Sequence, residues 1–230
     1  MVKGLEKLCE NENLPALLIE NGICELLVGF EPCDVPGYFS FVEACASFYK
    51  TLLDAIDESL YEAFYHQGAL QRILATLVAL SEKCNEPFFI VALEFIFSAS
   101  GIGYAPFDTD IFSSDVFELL FGLNSVSNQK INRLVTLILC SGLLKKQTPL
   151  SNTIATTDGI VAAIVASIVG LNAEEKCYVI NALIALCETN TNYVDIVQTA
   201  DAGEVFEELT ENRDNDDLCN AALSLIDLFN

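Results

Sequence analysis

The feature that most constrains the fold of this chain is an internal repeat with a nearly constant period. Five segments share one layout, in which a small or acidic residue opens an apolar helix. The opening residues are Gly22, Gly68, Asp115, Gly159 and Gly203, at intervals of 46, 47, 44 and 44 residues. A unit of this size cannot bury its apolar face alone, so such units stack on one another and share a core. The sequence therefore predicts an array of about five stacked helical units.

The last unit shows how each repeat divides into three helices. Its apolar segments cover residues 192–200, 204–211 and 217–229, with a break at Ala202-Gly203 and a polar turn at 212–216. A glycine suits the break because it adopts positive φ readily. Apolar positions of the third segment recur at spacings of four and three residues, which places them on one helix face. They are Leu218, Ala222, Leu225 and Leu228. The alternation typical of strands is not sustained anywhere.

A short core motif recurs in the predicted third helices. It reads Val179-x-x-Ala182-Leu183-x-x-Leu186 in the fourth unit and Cys219-x-x-Ala222-Leu223-x-x-Ile226 in the fifth. The second unit has the weaker form Phe89-x-x-Ala92-Leu93-x-x-Ile96, and more divergent forms begin at Phe41 and Ile131. With its helix, linker, short helix and glycine, this pattern resembles the armadillo repeat, closely in the C-terminal third and loosely elsewhere.

The resemblance implies an all-α fold, an armadillo-type right-handed superhelix (α-solenoid) of about five three-helix repeats. It also implies a single armadillo-like domain over residues 1–230. The expected units are approximately 1–55, 56–103, 104–147, 148–190 and 191–230. For the first three units, HEAT-like or irregular α-α packing is the alternative.

The charge of the chain limits its partners. It carries 33 acidic residues against 11 basic ones, a formal net charge of −22, and 52% of its residues are hydrophobic. This apolar content excludes an intrinsically disordered chain. Because nucleic-acid phosphates and anionic membrane surfaces both attract basic patches, we expect no nucleic acid and no membrane as partner. The longest apolar run, residues 159–171, is too short to span a bilayer and is predicted to be a buried helix.

The cysteines indicate a reducing compartment. There are nine, without any C-x-x-C pair, and most lie inside apolar runs, where free cysteine behaves as a small apolar residue. The chain has a single histidine, His66, which leaves few ligands for a zinc site. No signal peptide is apparent in the first ten residues. We therefore expect a cytoplasmic location and no disulfide framework, metal or cofactor.

The resemblance also identifies where a partner would bind. Armadillo proteins that bind extended peptides typically carry an asparagine two residues after the core Ala-Leu pair, and importin-type grooves add tryptophans. The corresponding residues here are Ser47, Phe95, Leu137, Ala185 and Leu225, and the chain has no Trp. Recognition of an importin-type localisation signal is therefore disfavoured. Two interpretations stay open: these positions are extra core, or they line an apolar groove for a partner's helix or hydrophobic segment.

Aromatic residues of the first unit are candidates for a binding anchor. Tyr38, Phe39, Phe41, Phe48 and Tyr49 share one predicted third helix, and alternation of helix faces should leave some of them exposed. Exposed aromatic side chains often dominate binding energy at interfaces. The candidate partner-binding residues are Ser47, Phe48, Tyr49, Phe95, Arg133 and Leu137.

Acidic side chains crowd the last unit. They are Glu204, Glu207, Glu208, Glu211, Asp214, Asp216 and Asp217. One interpretation is a solvated face that keeps an end repeat soluble. The other is an acidic surface that recruits a basic partner.

We do not expect catalysis, because His66 has no Cys or Ser partner at a recognisable spacing and no nucleotide-binding or H-E-x-x-H motif occurs. The predicted function is a non-catalytic protein–protein interaction module or scaffold. Its protein partner, basic or presenting an apolar helix, would bind the concave groove of the third helices and an acidic surface. The oligomeric state is not predicted.

Two alternatives remain. One is a regulator of a folded nucleotide-binding partner, because some armadillo-like domains resemble Hsp70-type nucleotide-exchange cochaperones and others resemble small-GTPase-binding domains. The other is a structural subunit of a larger assembly.

Overall fold

The computed structural model describes Cys9 and residues 14–29, 37–82, 84–124, 128–145, 148–200, 205–211 and 215–229. Within these ranges the chain forms fifteen α-helices, two short 3₁₀ turns and no β-strand, so the all-α prediction is confirmed. The first seven helices are α1 (Leu14–Glu20), α2 (Ile23–Val28), α3 (Tyr38–Ala55), α4 (Tyr61–His66), α5 (Ala69–Leu80), α6 (Glu86–Ile102) and α7 (Ala105–Ile111). The others are α8 (Ser114–Asn124), α9 (Gln129–Leu144), α10 (Thr148–Thr156), α11 (Ile160–Ser167), α12 (Ala173–Thr189), α13 (Tyr193–Ala200), α14 (Val205–Thr210) and α15 (Asp216–Asp227).

Two compact units divide the chain, Met1–Leu119 and Leu120–Asn230, which we call the N-terminal and C-terminal units. The last three helices agree within two residues with those expected for the fifth repeat, although Ala202, Gly203 and most of its polar turn lie outside the described residues. The division into five repeats within a single domain stays a prediction.

The longest helices pack side by side. In the N-terminal unit, α3 packs against α6. In the C-terminal unit, α9 packs against α12, and α12 packs against α15. We call these five the rung helices, because they are the predicted third helices of successive repeats.

The core motif lies where the rung helices pack. On α12, Val179, Ala182, Leu183 and Leu186 are all fully buried. Their spacing of three, one and three residues places them on one side of a helix with 3.6 residues per turn. Burying a side chain such as Leu contributes about 1.5–3 kcal/mol each, so this stripe is a large part of what holds α12 in place.

The long apolar run of the sequence forms α11 and the 3₁₀ turn Ile168–Gly170. Ile160, Ile164 and Ile168 on this segment are fully buried, while Val169 is exposed. Among the described helices, none is by itself long and apolar enough to cross a membrane. Pro149–Thr156 and Ile160–Gly170 reach that length and composition only as a pair bent by 87°.

Glycine begins the second helix of several repeats for a conformational reason. Gly22, Gly68 and Gly159 precede α2, α5 and α11 with φ angles of 68°, 75° and 80°. This left-handed region costs an L-residue roughly 1–2 kcal/mol because its Cβ approaches the following carbonyl oxygen. The chain can therefore reverse between the first and second helices of a repeat without strain.

Asparagine begins four of the five rung helices. The side-chain oxygens of Asn85, Asn128, Asn172 and Asn215 accept hydrogen bonds from the first-turn N–H groups of α6, α9, α12 and α15. These N–H groups have no partner within the helix, so each cap stabilises its helix by about 1 kcal/mol. The caps recur every 43 or 44 residues and are a second periodic signal of the same repeat.

Gln67 joins two helix ends from a buried position in the N-terminal unit. Its Nε2 donates to the carbonyl oxygen of Ile19 at 2.6 Å, and its Oε1 accepts from the N–H of Cys24 at 3.0 Å. Ile19 lies in the last turn of α1 and Cys24 in the first turn of α2, where backbone groups lack partners within the helix. One side chain from the next predicted repeat therefore joins both ends: it supplies the partner of the Cys24 N–H and a second hydrogen bond to the Ile19 carbonyl, which also accepts from the Gly22 N–H.

We expect the Gln67→Ala substitution to lower the free energy of unfolding by about 1–3 kcal/mol, because the buried N–H of Cys24 loses its partner, while the Ile19 carbonyl keeps its hydrogen bond from the Gly22 N–H. Gln198→Ala, on the exposed side of α13, is the matched control and should change it by less than about 0.5 kcal/mol. Urea denaturation measures both. An effect of Gln67→Ala no larger than that of the control would contradict the role of Gln67.

Gly159→Ala should lower the free energy of unfolding by roughly 1–2 kcal/mol, since the backbone there has positive φ although no atom lies within 4 Å of the added Cβ. Gly122→Ala on α8 also meets no atom within 4 Å. There the same change should raise stability by about 0.5–1 kcal/mol, because alanine favours a helix more than glycine. Thermal unfolding should show a lower midpoint temperature for Gly159→Ala and a higher one for Gly122→Ala. A shift of both midpoints in the same direction would contradict the conformational explanation.

Candidate functional site

The aromatic cluster of α3 does not supply the expected anchor at Phe48 or Tyr49. Phe48 is 0% exposed and Tyr49 1% exposed. The Tyr49 ring lies 5.9 Å from the ring of Phe95 on α6, so these side chains form the packing between the two rung helices. These two candidate partner-binding residues are therefore core residues, whereas Phe39 and Phe41 of the same aromatic cluster are partly exposed.

The positions that carry asparagine in peptide-binding armadillo proteins are mostly core. Phe95, Leu137, Ala185 and Leu225 are buried, and Ser47 is partly exposed. Leu137 lies in a stretch of α9, residues 134–143, in which every side chain is buried. Of the two interpretations left open by the sequence, the structure favours extra core over an apolar groove at these four positions.

Arg133 is the predicted site residue that lies beside a surface cavity. From α9, its Nε donates to Glu175 Oε1 on α12 at 2.6 Å, and its Nη2 donates to the same oxygen. Glu175 Oε2 accepts from the backbone N–H of Asn172, whose side chain accepts from the N–H of Glu175 in return. The guanidinium therefore holds α9 against the capped start of α12.

The pKa of Glu175 reflects this arrangement. Burial alone raises the pKa of the carboxyl, but the hydrogen bonds from Arg133 and from the Asn172 backbone, with the charge of Arg133, lower the pKa below its ordinary value overall. The carboxylate therefore stays charged to lower pH in the folded chain than in the unfolded one.

The cavity beside Arg133 has a volume of about 490 Å³. It lies between the start of α9 and the segment 163–171, where Val169 is 71% exposed. Its lining residues are Gln129, Asn132, Arg133, Ala163, Ala166, Ser167, Val169, Gly170 and Leu171. Asn132 Oδ1 is buried and makes no hydrogen bond among the described residues. The cavity thus combines apolar walls with two amides, those of Gln129 and Asn132, and one guanidinium.

A second cavity of the C-terminal unit, about 510 Å³, is acidic. It lies between the end of α10, the start of α11 and α13. Asp158 and Asp195 are both exposed at it, and Ala155, Ala162 and Ile196 are among its apolar lining residues. The hydroxyls of Thr156 and Thr157 on its wall donate to backbone carbonyls of α10. Carboxylates next to apolar walls suit a long basic side chain, whose stem is apolar and whose end is charged.

Nucleophilic chemistry finds little support at the described cysteines and histidine. Burial raises the pKa of the Cys45 and Cys187 thiols to about 11 and raises that of Cys140 still further, which keeps the thiols protonated and unreactive. His66 ends α4, and its Nε2 lies 3.8 Å from Glu62 on the exposed side of the helix. Among the described residues, no group of three His, Cys, Asp or Glu side chains could hold a metal ion.

The Glu175→Gln substitution should lower the free energy of unfolding at pH 7, and this loss should become smaller as the pH falls. Because the folded-state pKa of Glu175 lies below the unfolded value of about 4.3, its contribution is present above that pH and is lost as the pH falls through the folded pKa. Glutamine can still accept from Asn172, so the variant isolates the charge. Denaturation across pH 3–7 measures the difference, with the exposed neighbour Glu174→Gln as control. A difference that does not change with pH would contradict the ion pair.

Comparison with known proteins identifies the fold. Neither a protein-family model nor a curated protein sequence matches the chain. A structure of computationally designed armadillo repeat proteins for modular peptide recognition is similar over 100% of this chain and 92% of that one, with a TM-score of 0.79 and 15% identity. A designed armadillo repeat protein in complex with the peptide (KR)4 is similar over 100% and 91%, with a TM-score of 0.75 and 14% identity. The predicted resemblance is confirmed for the fold: the chain is an armadillo-like α-solenoid.

Proposed function

We propose that this chain is a non-catalytic protein-binding module whose partner carries a basic segment. The observation that carries the proposal is the combination of an armadillo-like fold with a net charge of −22. One designed protein of the same fold is in complex with a peptide of alternating Lys and Arg. A strongly negative surface attracts such a segment and raises its rate of association.

The acidic cavity between α10, α11 and α13 is a part of the described surface that suits a basic side chain. Asp158 and Asp195 supply two carboxylates that face solvent, and Ala162 and Ile196 supply apolar surface for the stem of Lys or Arg. The buried stretch 134–143 of α9 offers no side chain to a partner. We therefore place the first contact at the acidic cavity rather than along that stretch of a third-helix groove.

A cytoplasmic location is part of the proposal. It is supported by the eight described cysteines, all of which are free thiols. The regulator of a nucleotide-binding partner and the structural subunit stay predictions.

Binding of a fluorescein-labelled (KR)4 peptide, measured by fluorescence anisotropy, tests the proposed function. We expect the Asp158→Asn/Asp195→Asn double variant to bind the peptide about five- to tenfold more weakly than the wild-type chain, because each partly screened ion pair contributes modestly. Raising the salt from about 50 mM to about 500 mM should weaken binding by the wild type and reduce the difference.

The matched control is Glu207→Gln/Glu208→Gln on α14, which removes the same two charges from an exposed surface of the same unit. It should bind (KR)4 within about twofold of the wild type. Equal weakening in both double variants would show that net charge alone attracts the peptide and would contradict the cavity. Absence of binding at low salt would contradict the proposed function.

A further inference from the structure

The last rung helix exposes a position that other rung helices bury. In the core motif, Leu223 of α15 corresponds to Cys45 of α3, Val135 of α9 and Leu183 of α12. Those three residues are at most 3% exposed, and each lies on a rung helix against which a later one packs. Leu223 is 46% exposed. The side of α15 that carries Leu223 therefore corresponds to the side of α3, α9 and α12 that the next rung helix covers.

Neighbouring positions on α15 follow the same rule. Ile226 and Cys219 are partly exposed, and the Cys219 thiol donates to the Thr210 carbonyl at the end of α14, whereas Leu186 and Val179, their counterparts on α12, are fully buried. These residues lie one helical turn on either side of Leu223, so the three form one stripe. We call Cys219, Leu223 and Ile226 the α15 stripe.

One charged residue stands where the other rung helices are apolar. Asp227 is exposed on α15, whereas its counterparts in the C-terminal unit, Leu139 of α9 and Cys187 of α12, are buried. Asp216, one turn before the stripe begins, is exposed beside the same face. The α15 stripe therefore has an acidic edge that the packed interfaces between rung helices lack.

We propose that the α15 stripe is a docking site for an amphipathic helix of a partner protein, with an apolar centre and basic residues along one edge. The packing of α12 against α15 supports a helix as the occupant, because it shows that a rung helix packs against another helix that carries the same motif. The exposed carboxylates of Asp216 and Asp227 define the basic edge. A second copy of this chain would bring its own Asp216 and Asp227 to the interface, where like charges repel.

This inference rests on the proposed function only in requiring a basic partner, and it places the contact on a different surface. The acidic cavity is lined by α10, α11 and α13, whereas the stripe lies on α15. Substitutions at one surface can therefore be tested without changing the other.

The probe is a fluorescein-labelled peptide of residues 215–229 carrying Asp216→Lys, Asp217→Lys and Asp227→Lys. It presents the core motif with a basic edge. In fluorescence anisotropy with the full chain, we expect Leu223→Asp to weaken binding of this probe at least about tenfold, because a carboxylate replaces the apolar centre. Asp227→Lys should weaken it several-fold by charge repulsion. Leu223 is half exposed, so Leu223→Asp should fold, which circular dichroism verifies.

The matched control is Leu26→Asp, which places the same charge at an exposed leucine of the N-terminal unit and should leave probe binding unchanged. Equal binding of the probe by the Leu223→Asp variant and by the wild-type chain would overturn the proposal. This outcome includes binding in which the probe displaces α15 from α12. Absence of binding at about 1 mM chain would overturn it as well. The wild-type chain could instead fail to bind the probe and sediment as a dimer that the Leu223→Asp substitution abolishes. This result would overturn the proposal and assign the stripe to self-association.

The two proposals fail separately. Probe binding that survives Asp158→Asn/Asp195→Asn, together with loss of (KR)4 binding in that variant, supports both surfaces as independent sites. Probe binding without any (KR)4 binding would contradict the acidic cavity and leave the α15 stripe supported.

Discussion

The packing of one rung helix against the next is the interaction on which the rest of the structure depends. The short first and second helices of each repeat have few residues with which to bury apolar surface, so the long rung helices carry most of the core. The asparagine caps set where four of these helices begin, and glycines with positive φ let the chain reverse before α2, α5 and α11. Gln67, from the neighbouring predicted repeat, then joins two helix ends by hydrogen bonds to Ile19 and Cys24.

This packing decides which surfaces remain for a partner. A face that holds the next rung helix cannot also be a groove, which is why Phe48 and Tyr49 are core residues. Arg133 also contributes to packing, since it is hydrogen-bonded to Glu175 on the next rung helix. Among the described residues, two cavities beside the shorter helices and the side of α15 that carries the exposed Leu223 are open to a partner.

Much of the fold could be predicted from the sequence, because the period, the glycines and the core motif are all local patterns. The exposure of a side chain could not be predicted, because it depends on which helix lies opposite. Leu183 and Leu223 occupy the same motif position, yet only Leu183 is buried. The recurrence of Asn85, Asn128, Asn172 and Asn215 every 43 or 44 residues is also a local pattern, from which the starts of four rung helices can be predicted. Gln67 gave no such signal, because its two partners lie 43 and 48 residues away. Asp158 and Asp195 are 37 residues apart in the sequence and line one cavity only in the folded chain.

The native cysteines allow the most direct test of the packing between rung helices. Cys45, Cys140 and Cys187 lie on the covered sides of α3, α9 and α12, whereas Cys177 of α12 is partly exposed. Under native conditions, alkylation followed by mass spectrometry should modify Cys177 at least about a hundredfold faster than these three, which react only when the structure opens. Modification of Cys140 or Cys187 as fast as Cys177 would contradict the account.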